Sequence, residues 1–481
     1  MGLLSISRAI TLHATERPHE PALTCGEETL SWQQFDRRTN RLARAFAEMG
    51  VGVDDLVTIA LTNSIAFFES AFAVWKLGAT PQPVSAKLPG RELDEIVKLA
   101  DSKIVVGVET GRIPDRTCVP TGYQPDPALS AAELPDAIAT HWKAPTSGGS
   151  TGRPKIILAA TPGVFDTDGA RWDLPSHSAS VVPGVLYHNA VFSSSSLSLV
   201  AGNHLISFPR FVPEHVLDAI TEHQPKFLYM VPTMMSRIWK LPEEVRGAAD
   251  MSSLEMVIHM AAPCPPWLKE AWIDWVGPDV LYELYSGTEV QAITRITGRE
   301  WLEHRGSVGK PFDGKMKIVG DDGSDLPPGE IGEIYLLADG GRGSTYRYIG
   351  AEPKQLGDTD WESLGDMGSI DEEGYVYLAD RRTDMILRGG ANVYPAEVEF
   401  ALEEHPAIRS CAVIGIPDDD LGQRVHAVID APKGVSVDEL RAHMAERLVS
   451  YKCPDDYGFV DEPVRNDAGK VRRSLLAQEH S

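Results

Sequence analysis

The sequence predicts an α/β protein with a large N-terminal domain of helix-covered sheets, which includes a small β subdomain, and a small α+β C-terminal domain beyond a hinge. Three observations support this prediction. Short apolar runs alternate with stretches of helical spacing through most of the chain, a turn-rich stretch at 321–332 lies between β-type runs, and the composition changes near Asp380. A chain of 481 residues is also long for a single hydrophobic core.

The alternation of helices and strands begins near the N-terminus. Apolar residues at helical spacing predict helices at 35–48 and 65–77, and a glycine follows each as a stop signal. Short apolar runs predict buried strands at 56–61, 104–108, 227–231 and 256–260. One more helix is predicted at 233–239. Strands that alternate with helices predict parallel sheets with helices on their faces.

The C-terminal domain is predicted from a charged strip at 380–384 that separates two apolar runs. The segments after this strip are short and mixed in type, with helices predicted at 398–403 and 437–448 and strands at 410–415 and 425–430. A unit of roughly 100 residues is an ordinary domain size. We therefore predict domains at 1–380 and 381–481, with the hinge at 380–384.

Composition excludes several classes of function. The net charge of −24, with no basic stripe, argues against general binding of nucleic acid, because phosphate backbones require clustered Lys and Arg. The longest apolar stretches, such as 65–75, are too short to span a bilayer. Five scattered cysteines without a CxxC pair and the lack of a signal-peptide pattern favour a cytoplasmic protein. The sequence leaves the oligomeric state open, with a homodimer among the alternatives.

The segment at 147–155, SGGSTGRPK, is the strongest candidate for a phosphate-binding loop. Its glycines let the backbone approach a ligand closely, its hydroxyls and backbone N–H groups can surround phosphate oxygens, and its lysine adds a positive charge. The candidate phosphate-binding residues are Ser147, Gly148, Gly149, Ser150, Thr151, Gly152 and Lys155. The segment is not a Walker A loop, and a flexible surface linker is the alternative interpretation.

Six further segments follow this loop in order, and together they identify a family. They are AAP at 261–263, YSGTE at 285–289, LGD at 364–366, DRRTD at 380–384, GGANVYPAEVE at 389–399 and PVRNDAGK at 463–470. In this order the segments resemble the adenylate-forming superfamily, which includes acyl- and aryl-CoA synthetases, nonribosomal adenylation domains and luciferase. Among its members the chain is most similar to a stand-alone acyl-CoA synthetase. It departs from the family pattern at Gly148, Ala261, Ser286 and Leu364.

The resemblance implies a site for ATP and Mg²⁺. It implies that Tyr285 stacks on adenine, that Thr288 contacts phosphate, that Glu289 holds Mg²⁺ and that Asp366 accepts hydrogen bonds from the ribose. The remaining residues implied at the nucleotide are Ala262, Pro263, Ser286 and Arg381. A carboxylate suits Mg²⁺, which prefers oxygen ligands and bridges phosphates.

The resemblance also implies two half-reactions. In the first, the acid attacks ATP to give acyl-AMP and pyrophosphate, and Lys470 stabilises the developing charge. In the second, the C-terminal domain rotates about Asp384, and a segment with Gly389 and Gly390 admits coenzyme A, which takes the acyl group.

The acid is the least defined substrate. The resemblance places His188 in an acyl channel, and the other candidate pocket residues are Tyr187, Val191, Phe192 and Val231. Because no Lys or Arg stands out among them, we predict an apolar monocarboxylic acid that could bear a ring.

Three alternatives differ from this prediction. An amine or a carrier protein could replace coenzyme A as the acceptor, or the chain could be a non-catalytic sensor of a nucleotide or acyl ligand. The sensor would be expected to lack Lys470 or Glu289, and both are present. The third alternative is an unrelated ATP-using fold that shares the segments only by chance.

Overall fold

The computed structural model describes residues 3–148, 154–167, 173–381, 384–389, 391–418, 421–465, 469–471 and 473–480. Within strands and helices, the side chains of residues 147, 148, 381 and 474 are not described. The chain folds into a large N-terminal α/β domain and a small C-terminal α+β domain, as the sequence predicts.

A nine-stranded sheet forms the centre of the N-terminal domain. Its six inner strands pair in parallel, and its edges are antiparallel. In spatial order the strands are Lys310–Asp313, Ile293–Thr297, Leu281–Tyr285, Met256–His259, Phe227–Met230, Ala179–Val181, His204–Ser207, Pro21–Cys25 and Glu28–Ser31. Parallel strands of this kind are buried on both faces, which explains the apolar runs of the sequence.

A second parallel sheet shares a core with the first. Its strands, in spatial order, are Thr80–Pro83, Leu56–Ile59, Ile104–Val106 and Thr117–Val119. The helix Ile65–Lys76 is buried almost all round, as expected of a helix enclosed by other elements. The capping box of Ser31 and Gln34 begins the helix Trp32–Glu48, which packs against it.

Smaller sheets complete the N-terminal domain. A three-stranded antiparallel sheet consists of Tyr346–Ile349, Pro154–Ala159 and Thr146–Gly148, and Leu3–Ser5 pairs with Val164–Asp166. An antiparallel β subdomain contains Lys315–Val319, Gly332–Leu337, Glu362–Ile370, Lys354–Gln355 and Val376–Arg381. The turn predicted at 321–332 connects the first two of these strands.

The C-terminal domain has its own sheet and its own core. The strands are Ala391–Val393, Ile386–Arg388, Gly422–Asp430, Ser410–Asp418 and Asp456–Val460. Ile386, Val398 and Leu402 belong to a buried cluster that includes no residue of the N-terminal domain. The helices Pro395–Glu403 and Val437–Ala445 and the strands Ser410–Asp418 and Gly422–Asp430 supply most of this core.

The described chain contains the helix predicted at 233–239, as Pro232–Trp239, and further helices that the sequence analysis did not predict. In chain order, these further helices are Ile6–Glu16, Gly90–Ala100, Asn189–Val200, Pro213–His223, Glu243–Gly247, Pro266–Val276, Gly298–Glu303 and Arg473–Glu479, with a 3₁₀ turn at Ser450–Lys452. None of the described helices combines the length and the apolar character that crossing a bilayer requires.

Candidate active site

A cavity of about 1570 Å³ lies between the two domains. The ends of the parallel strands supply one wall, where Tyr229, Ile258 and Tyr285 line it. The C-terminal domain supplies the opposite wall through Arg465 and Lys470. The carboxyl ends of parallel strands are the usual position of a ligand site in α/β proteins.

The two strands that flank the candidate phosphate loop form an antiparallel pair. Ser147 lies opposite Lys155, and Gly148 lies opposite Pro154. The backbone therefore brings Ser147 beside a lysine that lines the cavity. The predicted phosphate-binding residues Gly149, Ser150, Thr151 and Gly152 lie outside the described residues.

Glu289 is joined to a lysine and a tyrosine at the cavity wall. The Lys155 ammonium lies 3.3 Å from Glu289 Oε1 and donates to Tyr348 Oη at 2.8 Å. The Tyr348 hydroxyl donates to the same carboxylate oxygen of Glu289. Glu289 is only 5% exposed. Its two donors, Lys155 and Tyr348, belong to the three-stranded sheet and stabilise its buried carboxylate.

This arrangement fits a shared Mg²⁺ site. Among the described residues, no cluster of three or more His, Cys, Asp or Glu side chains could hold a metal ion by itself. Mg²⁺ is usually held by one or two carboxylates together with substrate phosphates and water. Glu289 supplies such a carboxylate beside Lys155, whose charge suits phosphate.

The YSGTE segment begins at the end of the strand Leu281–Tyr285 and turns into the cavity. The Tyr285 hydroxyl donates to Asp366 Oδ2 at 2.8 Å, so the residues predicted at the adenine and the ribose contact each other. Ser286 Oγ donates to the carbonyl of Ala292 at 2.9 Å, and Thr288 lines the cavity. Arg381 lies opposite Asp366 in the β subdomain, which places its backbone beside the same site.

Two residues in the wall of the cavity have left-handed backbones without being glycine. Ala261 has φ of 75° and Val290, directly after Glu289, has φ of 57°. Such conformations cost about 1–2 kcal/mol for residues with a Cβ atom, and they concentrate at functional sites. Ala261 is one of the positions at which the chain departs from the family pattern. The strained backbone is the structural consequence of having alanine at this position. Ala262 and Pro263, predicted at the nucleotide, follow it in the same wall.

The segment that carries Lys470 is tied to a buried ion cluster in the C-terminal domain. Arg465 donates to the carbonyl of Gly469 at 3.1 Å and pairs with Glu399 at 2.5 Å. Arg473 pairs with the same Glu399 at 2.8 Å and with the predicted pivot, Asp384, at 2.9 Å. The pivot and the lysine segment are therefore linked through one cluster.

Gly469 fits closely against the N-terminal domain. Its φ is +73°, and a Cβ atom there would come within 2.8 Å of Thr233 Oγ1 and 3.6 Å of Ala262 Cβ. Only glycine meets both conditions without strain. This close contact brings Lys470 into the cavity that Glu289 and Thr288 also line.

His188 lies in the cavity wall as a neutral imidazole. Burial and, to a smaller extent, the positive charge of Lys470 lower the pKa of His188 to about 4. Its Nε2 atom is buried and has no hydrogen-bond partner among the described residues. A buried polar atom at a cavity surface fits contact with a ligand.

The residues predicted for the acyl pocket line the cavity, with one exception. Tyr187, Val191 and Val231 line the cavity beside His188. Phe192 does not: it is fully buried and stacks on Trp142, which itself lines the cavity. Adjacent residues of a helix point in directions about 100° apart, so Val191 faces the cavity and Phe192 lies one layer behind it.

Lys143 is a cavity residue that the sequence analysis missed. It is only 4% exposed, and its ammonium donates to Asn189 and Ser193 in the cavity wall. The prediction of an apolar monocarboxylic acid depended on the lack of a cation in the pocket, and Lys143 removes that basis.

The predicted coenzyme A segment lies away from the cavity in this structure. Gly389 donates its backbone N–H to the carbonyl of Leu421 at 2.8 Å and is not part of the cavity wall. Gly390 lies outside the described residues. In this structure Lys470 therefore lies in the cavity wall, and Gly389 lies outside the cavity.

Comparison with known proteins agrees with this geometry. The family model described as AMP-binding enzyme matches residues 10–341, and the model of the AMP-binding enzyme C-terminal domain matches residues 397–470. A feruloyl-CoA synthase from Amycolatopsis is 31% identical, with 94% of each chain covered. A 2-succinylbenzoate–CoA ligase from Bacillus licheniformis is 27% identical, with 95% of this chain and 97% of that protein covered.

Solved structures give the same picture. The o-succinylbenzoate coenzyme A synthetase from Bacillus subtilis, in complex with ATP and magnesium ion, superposes with a TM-score of 0.82 at 25% identity. The match covers 99% of this chain and 100% of that one.

Proposed function

Because this chain belongs to the AMP-binding enzyme family, we propose that it activates a carboxylic acid with ATP and transfers the acyl group to coenzyme A. The products are acyl-CoA, AMP and pyrophosphate. The observation that carries the proposal is that Lys470 lines the same cavity as Glu289, Thr288 and Lys155, although it is carried by the other domain.

In the first half-reaction, a carboxylate oxygen of the acid forms a bond to the α-phosphorus of ATP, and the bond from that phosphorus to the bridging oxygen of pyrophosphate breaks. Lys470, which lines the cavity, would balance the charge that develops on the reacting oxygens. Lys155 is placed to hold the departing phosphates, and Glu289 would hold Mg²⁺. When bound, Mg²⁺ neutralises phosphate charge.

His188 contributes without exchanging a proton. Its lowered pKa keeps the imidazole neutral at physiological pH, so it places no second positive charge beside Lys470. The apolar side chains of Val191 and Val231 form a surface suited to an apolar, ring-bearing part of the acid, and the buried Nε2 of His188 suits a polar atom of the ligand.

In the second half-reaction, the sulfur of coenzyme A attacks the acyl carbon, the bond from that carbon to the AMP oxygen breaks, and the thiol proton passes to solvent. We propose that the C-terminal domain, from residue 381 onward, first rotates about Asp384. Lys470 would leave the cavity, and the segment with Gly389 and Gly390 would enter it. The link from Arg473 to both Asp384 and Glu399 supports movement of the lysine segment with its domain.

A screen of carboxylic acids tests this function. Each acid is incubated with the protein and MgATP, pyrophosphate release is measured, and thioester is detected by mass spectrometry with and without coenzyme A. We expect release that depends on the acid, and a thioester only with coenzyme A. Acyl-AMP that yields an amide with an added amine but no thioester would identify an amine acceptor. Nucleotide binding without pyrophosphate release for any acid would identify a sensor.

We also propose that the protein acts in the cytoplasm, without contact with nucleic acid; its oligomeric state stays open, with a homodimer among the alternatives. The acidic composition and the unpaired cysteine pattern support this proposal. Light scattering of the purified protein measures its mass and decides the oligomeric state.

A further inference from the structure

Tyr348 is a polar residue at the edge of the candidate site, and the proposed reaction gives it no role. Its hydroxyl accepts from the Lys155 ammonium at 2.8 Å and donates to Glu289 Oε1. The same ammonium lies 4.0 Å from the centroid of the Tyr348 ring. Lys155 and Glu289 are among the described residues that line the cavity, and Tyr348 is not. Tyr348 therefore contacts two predicted ligand-binding residues from outside the cavity wall.

The pairing of two strands places Tyr348 beside Lys155. The strands Tyr346–Ile349 and Pro154–Ala159 are antiparallel, and Tyr348 lies opposite Ile157. Because side chains two positions apart on a strand share one face of the sheet, Lys155, Ile157 and Tyr348 are on the same face. Tyr348 is thus the diagonal cross-strand neighbour of Lys155, a separation that an aromatic ring and a long side chain can bridge.

A second tyrosine supports the Tyr348 ring. The rings of Tyr346 and Tyr348 meet edge to face, with their centroids 4.8 Å apart. The Tyr346 hydroxyl donates to Glu362 at 2.8 Å and accepts from Gln291 at 3.4 Å, and both of these partners are buried. The Tyr348 side chain therefore packs against a neighbour that is itself held by hydrogen bonds.

This support suits a residue that orients the Lys155 side chain. A lysine side chain has several rotatable bonds, and fixing them when a ligand binds costs conformational entropy. Contacts that fix the side chain beforehand lower this cost. The hydroxyl and the ring of Tyr348 are both uncharged, so they orient the ammonium without cancelling the charge that attracts a phosphate.

We propose that Tyr348 is a positioning residue for the triphosphate of ATP, because it holds the Lys155 ammonium in the orientation that binds the departing phosphates. Tyr348 itself contacts no substrate and takes no part in bond exchange. This inference rests on the proposed function, in which Lys155 holds those phosphates. Its consequence is that Tyr348 matters for the binding of ATP and pyrophosphate and not for the binding of AMP.

Equilibrium binding without a carboxylic acid tests the inference, because no acid-dependent reaction then occurs. Isothermal titration calorimetry at a fixed Mg²⁺ concentration gives dissociation constants of the wild-type protein and Tyr348→Phe for ATP, pyrophosphate and AMP. Phenylalanine keeps the ring beside the ammonium and removes only the hydroxyl. The constants for ATP and pyrophosphate are expected to rise by about tenfold, as for the loss of a hydrogen bond to a charged group, and that for AMP by about twofold or less.

A double-mutant cycle identifies the residue through which Tyr348 acts. Lys155→Met removes the ammonium, so adding Tyr348→Phe to that variant should change the ATP dissociation constant by about twofold or less. If Tyr348 acted through Glu289, the second substitution would still weaken ATP binding. Tyr377→Phe is the matched control, since its hydroxyl donates to Asp371 at 3.1 Å outside the cavity.

A hydroxyl with a purely structural role would give a different result. Its removal in Tyr348→Phe would lower the melting temperature and leave the ratio of the ATP and AMP dissociation constants as in the wild-type protein. If Lys155→Met binds too little ATP for the cycle, this ratio in Tyr348→Phe decides.

Two results would overturn the inference. In the first, Tyr348→Phe binds ATP and pyrophosphate as tightly as the wild-type protein, or binds AMP more weakly to the same extent. In the second, Tyr348→Phe weakens ATP binding equally with and without the Lys155 ammonium. Failure of the proposed function is distinguishable, because a protein that shows this dependence on Tyr348 but releases pyrophosphate with no acid would keep the positioning role and lose the ligase function. If the wild-type protein bound no ATP, both would fail.

Discussion

Two buried glutamates, one in each domain, illustrate two uses of the same side chain. Glu399 in the C-terminal domain is 2% exposed, and Glu289 in the N-terminal domain is 5% exposed. Glu399 accepts from the backbone of Val413 and from the guanidinium groups of Arg465 and Arg473. Glu289 accepts from the hydroxyl of Tyr348 and from one ammonium, and it lines the cavity.

The difference lies in how completely each charge is compensated. Burial opposes the charged form of Glu399, but Arg465 and Arg473 hold its pKa below the ordinary value. Two guanidinium groups and a backbone N–H make this carboxylate part of the framework that supports Gly469 and Asp384. Glu289 faces a ligand cavity with fewer donors, so it can exchange a partner when a ligand enters. Complete pairing indicates a structural charge, and partial pairing at a cavity indicates a functional one.

The largest expected effect comes from Glu289→Gln. The glutamine amide keeps an oxygen that can accept from Tyr348 and Lys155. It lacks the negative charge of the carboxylate, which we propose holds Mg²⁺. We expect kcat/KM for pyrophosphate release to fall by about 10²–10³-fold, as for the loss of one strong electrostatic contact in an active site. The melting temperature should change little. Normal activity of this variant at limiting Mg²⁺ would mean that Glu289 does not hold the metal.

Glu399→Gln should affect stability first. Neutralising this carboxylate leaves two buried guanidinium groups without their shared partner, which costs about 3–5 kcal/mol. Chemical denaturation followed by circular dichroism measures the loss. Glu404→Gln is the matched control, because Glu404 forms an exposed pair with Arg447 and should cost about 1 kcal/mol or less. Equal losses of unfolding free energy in Glu399→Gln and Glu404→Gln would mean that Glu399 does not have the structural role assigned to it.

His188 predicts a dependence of stability on pH. Its pKa is lowered to about 4, below the ordinary 6.5. Because the unfolded chain binds the proton more readily, this stabilisation is complete above pH 6.5 and is lost as the pH falls towards 4. Relative to His188→Phe, the wild-type protein should lose about 3 kcal/mol of unfolding free energy over that interval. Parallel pH profiles of the two proteins would mean that His188 is not buried as described.

The smallest expected effect is that of Ala261→Gly. The left-handed φ of 75° strains alanine and not glycine, so the substitution should stabilise the protein by about 1 kcal/mol despite the entropy that glycine adds to the unfolded chain. Calorimetry measures the change. A loss of stability would show that the Ala261 methyl group contributes packing that outweighs its strain.

Much of the fold follows from local patterns. The predicted helices at 35–48 and 65–77 correspond to Trp32–Glu48 and Ile65–Lys76, because apolar residues at helical spacing bury one face. The family resemblance is confirmed by the matching models, although the roles of the individual site residues stay predictions.

The rest of the site depends on contacts between distant parts of the chain. Lys143 meets Asn189 and Ser193, which lie 46 and 50 positions later, so its local sequence gives no sign of its burial in the cavity wall. Tyr348 lies 59 positions after Glu289 and reaches it because Tyr346–Ile349 pairs with Pro154–Ala159. Phe192 was predicted to line the pocket together with Val191, but adjacent helical residues point in different directions and Phe192 lies behind the cavity wall.

Lys470→Ala tests the central claim most directly, which is that an ammonium carried by the small domain completes the adenylation site of the large one. We expect acid-dependent pyrophosphate release from MgATP to fall by about 10²–10³-fold in this variant. Conversion of separately supplied acyl-AMP and coenzyme A to thioester should stay within a few-fold of the wild-type rate, because the proposed rotation takes Lys470 out of the cavity before that step. Undiminished pyrophosphate release from the variant would contradict the account.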